Sequence, residues 1–179
     1  GAMHELLRPR ATWVEKRLDL VAKIRSGGTP STANAEYWDG DIFWCTPTDI
    51  TALDSYKHIS ATDRSITKQR LKARSAELIP ANSIVMTTRA TIGECAINRV
   101  PVATNQGFKN FLPFDHINVE FLYYLLLTKK QNLISLCSGS TFLEISKSQL
   151  AAFEVRVPLD KTEQSSLAII LAEMDAEIV

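Results

Sequence analysis

Four side chains, Arg89, Asn105, Gln106 and Lys109, stand at the polar corners of an otherwise apolar stretch between Ile84 and Leu112. Amides and guanidinium groups carry the donor and acceptor geometry that fits base edges and phosphates. Within Thr104-Asn105-Gln106-Gly107, the two amides can instead satisfy backbone groups of a tight turn, and spacing alone favours that role. A second group is the run Arg64, Lys68, Arg70, Lys72 and Arg74, five bases with no acid among them. Such a run forms either a solvated face or a phosphate-contacting one, and both readings stay open. The hydroxyls of Ser138, Ser140 and Thr141 have the types of a nucleophile cluster, but nothing in the sequence places a base beside them. Hydrogen bonds to a nucleic-acid backbone, or to their own loop, suit them better.

The elements that must hold these groups are short. Ile84-Val85-Met86, Cys95-Ala96-Ile97 and Val100 to Ala103 read as three strands, with Gly93 and Asn98-Arg99 as breaks. Trp13 to Ile24 suggests a short helix or a helix leading into a strand, stopped by Ser26-Gly27-Gly28-Thr29-Pro30. The two glycines lack a following Gly-Lys-Ser/Thr, so no nucleotide-binding loop is expected. Gly28 is expected to supply an unusual backbone angle and Pro30 to set the loop exit. Tyr37 and Trp38 precede a buried strand, Ile42 to Cys45, and belong to the core before they belong to a base-stacking surface. Thr46-Pro47-Thr48-Asp49 is a helix start or a turn, and Thr67 is the candidate N-cap of a short helix carrying most of the bases. A longer helix follows Asn118, with Leu122, Leu125, Leu126, Leu133, Leu136 and Cys137 on one stripe and Gly139 ending it. Ser146 and Gln149 match a capping box, and Phe153 to Val157 alternates as a strand. From Thr162 a last helix steps through Leu167, Leu171, Met174 and Ile178, the spacing of a coiled-coil seam. Its stripe lacks a C-cap, so a longer helix with a missing partner helix is expected; packing on the domain's own core is the alternative.

The totals set limits. A chain of 179 residues, 45% hydrophobic and 22% charged, forms an ordinary globular domain with a sizeable core. The formal net charge is zero, yet residues 160–179 hold five acids against one base, a net of −4, which leaves +4 on residues 1–159. A mildly basic body with an acidic tail is compatible with weak nucleic-acid binding by the body. No bilayer-spanning run or signal peptide is present, so no membrane partner is expected. The three cysteines form no Cys-x-x-Cys pair and the three histidines are scattered, so neither disulfides nor a metal site is expected and a reducing cytoplasm fits. Gly1-Ala2-Met3 has the look of a tag scar and is set aside.

Taken in order, Ser26-Gly27-Gly28-Thr29-Pro30-Ser31, Glu36-Tyr37-Trp38, Arg89-Ala90-Thr91-Ile92-Gly93, Thr104-Asn105-Gln106-Gly107-Phe108-Lys109, Ser138-Gly139-Ser140-Thr141-Phe142 and Glu144-Ile145-Ser146-Lys147 resemble the target recognition domain of a type I restriction–modification specificity subunit. The resemblance runs from about Trp13 to the C-terminus. It implies sequence-specific recognition of double-stranded DNA. The chain would direct modification (methyltransferase) subunits and restriction (endonuclease/translocase) subunits, and pair its last helix with that of a second recognition domain. Residues 4–159 would be the recognition domain and 160–179 the start of the spacer helix. Motifs shared by relatives that read different sequences cannot encode one target. Arg89, Asn105, Gln106, Lys109, Ser140, Thr141 and Lys147 are therefore expected to make shared contacts or hold loops. Target-specific contacts would come from loops such as Asp54 to His58 and the segment from Arg64 to Arg74.

The fold class expected is α+β, a twisted, mostly antiparallel sheet with several short helices. No catalytic site and no cofactor are expected: the chain lacks a Gly-rich cofactor loop, an Asn/Asp-Pro-Pro-aromatic motif, a convincing nuclease set and a helicase phosphate loop. The rival reading is a protein-interaction module anchored by Tyr37, Trp38 and Phe142 that never touches DNA.

Overall fold

Runs such as Ile84-Val85-Met86 and Cys95-Ala96-Ile97 are apolar at every position, the mark of strands covered on both faces. The computed structural model, which describes residues 1–54, 56–73, 76–137 and 142–178, shows this arrangement. Its first elements are helix α1 (Ala2–Leu6), strand β1 (Val14–Arg17), a 3-10 turn (Leu18–Leu20), β2 (Ala22–Ser26), a second 3-10 turn (Ala35–Tyr37), β3 (Trp38–Cys45) and α2 (Pro47–Ala52). Then come β4 (His58–Ile59), β5 (Arg64–Ile66), α3 (Lys68–Lys72), β6 (Ile84–Arg89), β7 (Thr91–Asn98), β8 (Val102–Thr104) and β9 (Phe108–Pro113). The chain closes with α4 (Val119–Thr128), α5 (Lys130–Ser135), α6 (Lys147–Ala152), β10 (Glu154–Val157) and α7 (Lys161–Ile178).

Three sheets result. The central one has the order β2-β9-β6-β7-β4, the second β5-β3-β8, and β1 pairs with β10 as a ribbon. Pairing is antiparallel except for β3 with β8 and β4 with β7. This is an α+β fold. Because side chains alternate across a strand, the central sheet sends Ile84, Met86, Cys95, Ile97 and Phe111 into a core shared with α4, α6 and α7. Val85, Ala96 and Phe108 point the other way, against Cys45 and Val102 of the second sheet. The far face of that second sheet carries a smaller cluster of Trp38, Ile42, Trp44, Ile66 and Ala103.

Local signals worked where the chain supplies its own partner. Asn118 caps α4 by accepting from the Phe121 N–H at 2.9 Å. The Ser146–Gln149 capping box opens α6, and Asp49 closes one on the Thr46 N–H at 2.8 Å to open α2. Other expectations need correction. The stretch from Ile84 to Pro113 holds four strands, not three; β6 runs on to Arg89 and turns at Ala90, whose φ is 62°. Trp13 to Ile24 is two strands around a 3-10 turn, and the helix after Asn118 breaks at Lys129 into α4 and α5. Gly139, expected to end it, lies outside the described residues.

Two residues of the proposed seam turn inward. Leu167 and Leu171 are 4% and 0% exposed within the main core, because α7 lies along α4 and α1. Met174 is half-buried, and the Ile178 side chain lies outside the described residues. Gln164 is fully buried, its Oε1 accepting from the Asn118 N–H and its Nε2 donating to the carbonyls of His116 and Pro158. Among the described residues, α7 therefore packs against the main core. The exposed large apolar side chains of α7 among the described residues are Ile169 and Ile170. Ala2 and Met3 begin α1, and Met3 packs against the core.

Candidate nucleic-acid interface

The turn between β8 and β9 is built by Asn105. Its Oδ1 accepts from the Gly107 N–H at 2.9 Å, its own N–H donates to the Cys45 carbonyl at 3.1 Å, and its carbonyl accepts from the Phe108 N–H. This is the turn-forming role that spacing favoured, and it leaves the neighbouring Gln106 exposed at the tip. The Gln106 amide has no hydrogen-bond partner among the described residues.

Beside this tip, the segment after Phe142 folds back on the end of β6. The Ala90 N–H donates to the Leu143 carbonyl and the Ile145 N–H to the Thr88 carbonyl. Glu144 thereby meets Arg89, Oε1 to Nη2 at 2.9 Å. Lys109 lies close by, and burial lowers its pKa; Glu144 opposes that shift, while Arg89 and Lys147 add to it. The corner thus gathers three cations around one acid. Lys147 is exposed, Arg89 is half-buried, and Lys109 is only 8% exposed. Lys109 is thus a charge set largely behind the surface. Ser140 and Thr141 lie outside the described residues.

The glycine loop leads from this corner to the basic run. A Cβ added to Gly27 would stand 1.8 Å from the Asn105 carbonyl oxygen, so only glycine lets the two backbones meet. Close approach at Gly27, rather than an unusual angle at Gly28, is what the loop requires. The Gly28 N–H donates to the Thr104 carbonyl at 2.9 Å. The Gly28 carbonyl accepts from Trp44 Nε1, the Thr29 carbonyl from Arg70 Nη2, and the Ser31 carbonyl from Trp38 Nε1. One short loop thus fastens the Asn105 turn to the far face of the second sheet.

On that face Arg64 pairs in register with Trp44, which pairs with Ala103. With strands about 4.8 Å apart and a rise of about 3.3 Å per residue, the Cα atoms of Arg64 and Asn105 lie roughly 12 Å apart. The two corners therefore fall within a few base pairs of one another on a duplex, at about 3.4 Å per step. Arg64 lays its guanidinium 3.6 Å over the Trp38 ring. Lys68 and Lys72 are exposed on α3. Arg70 is not available: it is 4% exposed, bonded to Thr29 and 5.1 Å from the Tyr37 ring, so the phosphate contact expected of it is withdrawn. Arg74 lies outside the described residues. The structure brings Arg89, Asn105, Gln106, Lys109 and Lys147 together, with Arg64, Lys68 and Lys72 one sheet away. Gly27 as the joint was not singled out by sequence; two glycines beside a Thr-Pro were the only hint.

In the loop from Asp54 to His58, Lys57 is engaged within the domain. Lys57 reaches the Tyr124 hydroxyl at 3.0 Å and Glu120 at 3.1 Å, next to Asp175 of α7. Burial, then Arg99 and Lys57, lower the His58 pKa against the pull of Glu120. Ser55 lies outside the described residues, while Tyr56 is exposed. Burial pushes the Cys45 and Cys95 thiols well up, so neither is a thiolate nucleophile. Among the described residues, no group of three or more His, Cys, Asp or Glu could hold a metal, and no helix is long and apolar enough to cross a membrane.

Residues 10–179 match the family profile described as the type I restriction modification DNA specificity domain. The chain belongs to this family. Among relatives of this specificity-domain family, it is 39% identical over 165 residues to the MjaIX specificity subunit of Methanocaldococcus jannaschii, covering 91% of this chain and 38% of that protein. It is 30% identical over 169 residues to the EcoR124I/EcoR124II specificity subunit of Escherichia coli, covering 89% of this chain and 40% of that one. The fold matches the HsdS subunit of Thermoanaerobacter tengcongensis with a TM-score of 0.75 at 17% identity, over 99% of this chain and 42% of that chain. A structure reported for assembly and conformational transition of the type I R-M system matches with a TM-score of 0.76 at 17% identity, over 94% and 40%. The specificity domain described here thus spans about two fifths of the relatives it matches.

Proposed function

We propose that this domain reads a sequence in double-stranded DNA as part of a type I specificity subunit, in the cytoplasm, with no catalytic step or cofactor of its own. Methylation and cleavage would belong to the modification and restriction subunits it directs. A second recognition domain would join through paired helices, and here the exposed Ile169 and Ile170 replace Leu167 and Leu171 as the candidate contact. One observation carries the reading: the loop at residues 26–31 ties an exposed amide tip and two exposed lysines of α3 into one rigid surface. The names of the relatives support it. Gln106, Lys68 and Lys72 would meet the duplex directly, and so would Arg64, Lys147 and Arg89. Asn105 and Lys109 would act from behind.

The test is binding of a fluorescent duplex by the domain assembled with its modification subunits, titrated against salt. Selective binding should weaken steeply with salt, and Lys68→Ala and Lys72→Ala should each flatten the log–log slope by about 0.9. Equal affinity for all duplexes, or no binding at low salt, would refute the reading in favour of a protein-docking role.

A further inference from the structure

Arg64 differs from the other surface cations, and the difference points to what it reads. Its backbone is fixed in β5 opposite Trp44, and the Thr62 hydroxyl donates to its carbonyl at 2.6 Å. Its guanidinium lies 3.6 Å above the centre of the Trp38 ring and 5.7 Å from that of Trp44. Those rings are themselves packed and hydrogen-bonded. They are 9% and 5% exposed, meet edge to face at 4.9 Å and 84°, and each donates its indole N–H to a carbonyl of the glycine loop. Among the described residues no carboxylate forms an ion pair with Arg64, although the side chain is exposed. A flexible lysine binds a phosphate as a point charge and has no plane for a stacking platform to orient. A stacked guanidinium has its plane set in advance, keeps its N–H edge free, and suits a planar partner with two acceptors side by side. In a DNA groove that partner is the O6 and N7 edge of guanine.

We propose that Arg64 is a specificity-determining residue that hydrogen-bonds the major-groove edge of one guanine in the target, with Trp38 as the platform that orients it. The proposal rests on the DNA-recognition reading above and adds to it a base and an edge. Lys68 and Lys72, exposed on a five-residue helix, remain the phosphate contacts.

The experiment uses the complex assembled with its modification subunits and the target obtained by methylome sequencing of cells carrying the intact system. Each guanine of the target is replaced in turn by 7-deazaguanine, which removes only the N7 acceptor, and binding is measured for wild type, Arg64→Lys and Arg64→Ala. Arg64→Lys keeps the charge and an aliphatic stem over Trp38, so it guards against loss of folding. We expect one guanine at which wild type loses roughly 10- to 150-fold on substitution, the range for one hydrogen bond to a charged group. Arg64→Ala should lose a similar factor on the natural target and nothing further at that guanine. Arg64→Lys should lose discrimination there, while affinity for unrelated duplexes and the salt slope stay at wild-type values. A uniform loss on all duplexes with a flatter salt slope would make Arg64 a phosphate contact and overturn the proposal. So would a target half-site without guanine, or unchanged discrimination in both variants. Failure of the wild-type complex to select any duplex would instead sink the DNA-recognition reading itself.

Discussion

Gly27→Ala and Gly107→Ala make the same chemical change on two sides of one turn, and they should behave very differently. At Gly27 the new methyl would sit 1.8 Å from the Asn105 carbonyl oxygen and 2.4 Å from Thr104 Oγ1, so backbone must move by more than 1 Å to restore contact distance. That shift would break the bonds from the Gly27 and Gly28 N–H groups to the Phe108 and Thr104 carbonyls. Each such bond contributes about 1 kcal/mol net, and forced overpacking adds about 1–3 kcal/mol. The expected loss is about 3–5 kcal/mol, a fall of roughly 6–20 °C in Tm for a domain of this size. At Gly107 the nearest obstacle is the Asn105 side-chain oxygen at 3.1 Å, which can give by a few tenths of an ångström. Its cost should stay near or below about 1 kcal/mol. Urea denaturation of both variants, followed by circular dichroism, measures the difference. A Gly27→Ala domain within 1 kcal/mol of wild type, or less impaired than Gly107→Ala, would refute the claim that this loop is fastened by backbone contact.

Other perturbations address separate parts of the structure. Arg70→Met should lower unfolding free energy by about 2 kcal/mol through the lost Thr29 bond, yet leave the salt slope of DNA binding unchanged; a slope reduced by one would return Arg70 to the phosphate contacts. Tyr124→Phe removes the acceptor of Lys57 and the donor to Asp175, and should cost about 1–2 kcal/mol in urea titrations, with no cost refuting a clamp on α7. Lys109 has a folded pKa below the ordinary 10.5, so the unfolded chain holds more protons between the two values and wild-type stability rises with pH across that interval. Lys109→Met should therefore be the more stable protein at neutral pH, with the gap shrinking as pH climbs towards 10.5. A gap that widened would reverse the sign of the linkage.

The sequence displayed the scaffold better than the surface. Strands buried on both faces announce themselves as continuous apolar runs, which made β6 and β7 legible. β9 was not, because Lys109 and Asn110 interrupt the run although both are buried; Asn110 Nδ2 donates to Thr104 Oγ1 at 2.9 Å, a partner sequence spacing cannot supply. Leu167 and Leu171 of α7 do share a buried stripe, but a stripe does not say what covers it, and here it is α4 and α1. In the basic run, Arg70 and Lys72 look alike as letters. Only the fold, by setting Tyr37 and Thr29 around one of them, separates a packed guanidinium from a free ammonium. Asn105 followed its local chemistry, whereas the pairing of Arg89 with Glu144 spans 55 residues and had no local signal.

Tethered cleavage tests the central claim most directly. With Cys137 replaced by Ser, an iron chelate would be attached to Gln106→Cys in one preparation and to Lys72→Cys in another, each assembled with modification subunits on the target duplex. A single polar surface spanning both corners predicts strand cuts from the two tethers within one helical turn, about 10 base pairs. Cuts from only one tether, or none from either while the complex remains bound, would contradict it.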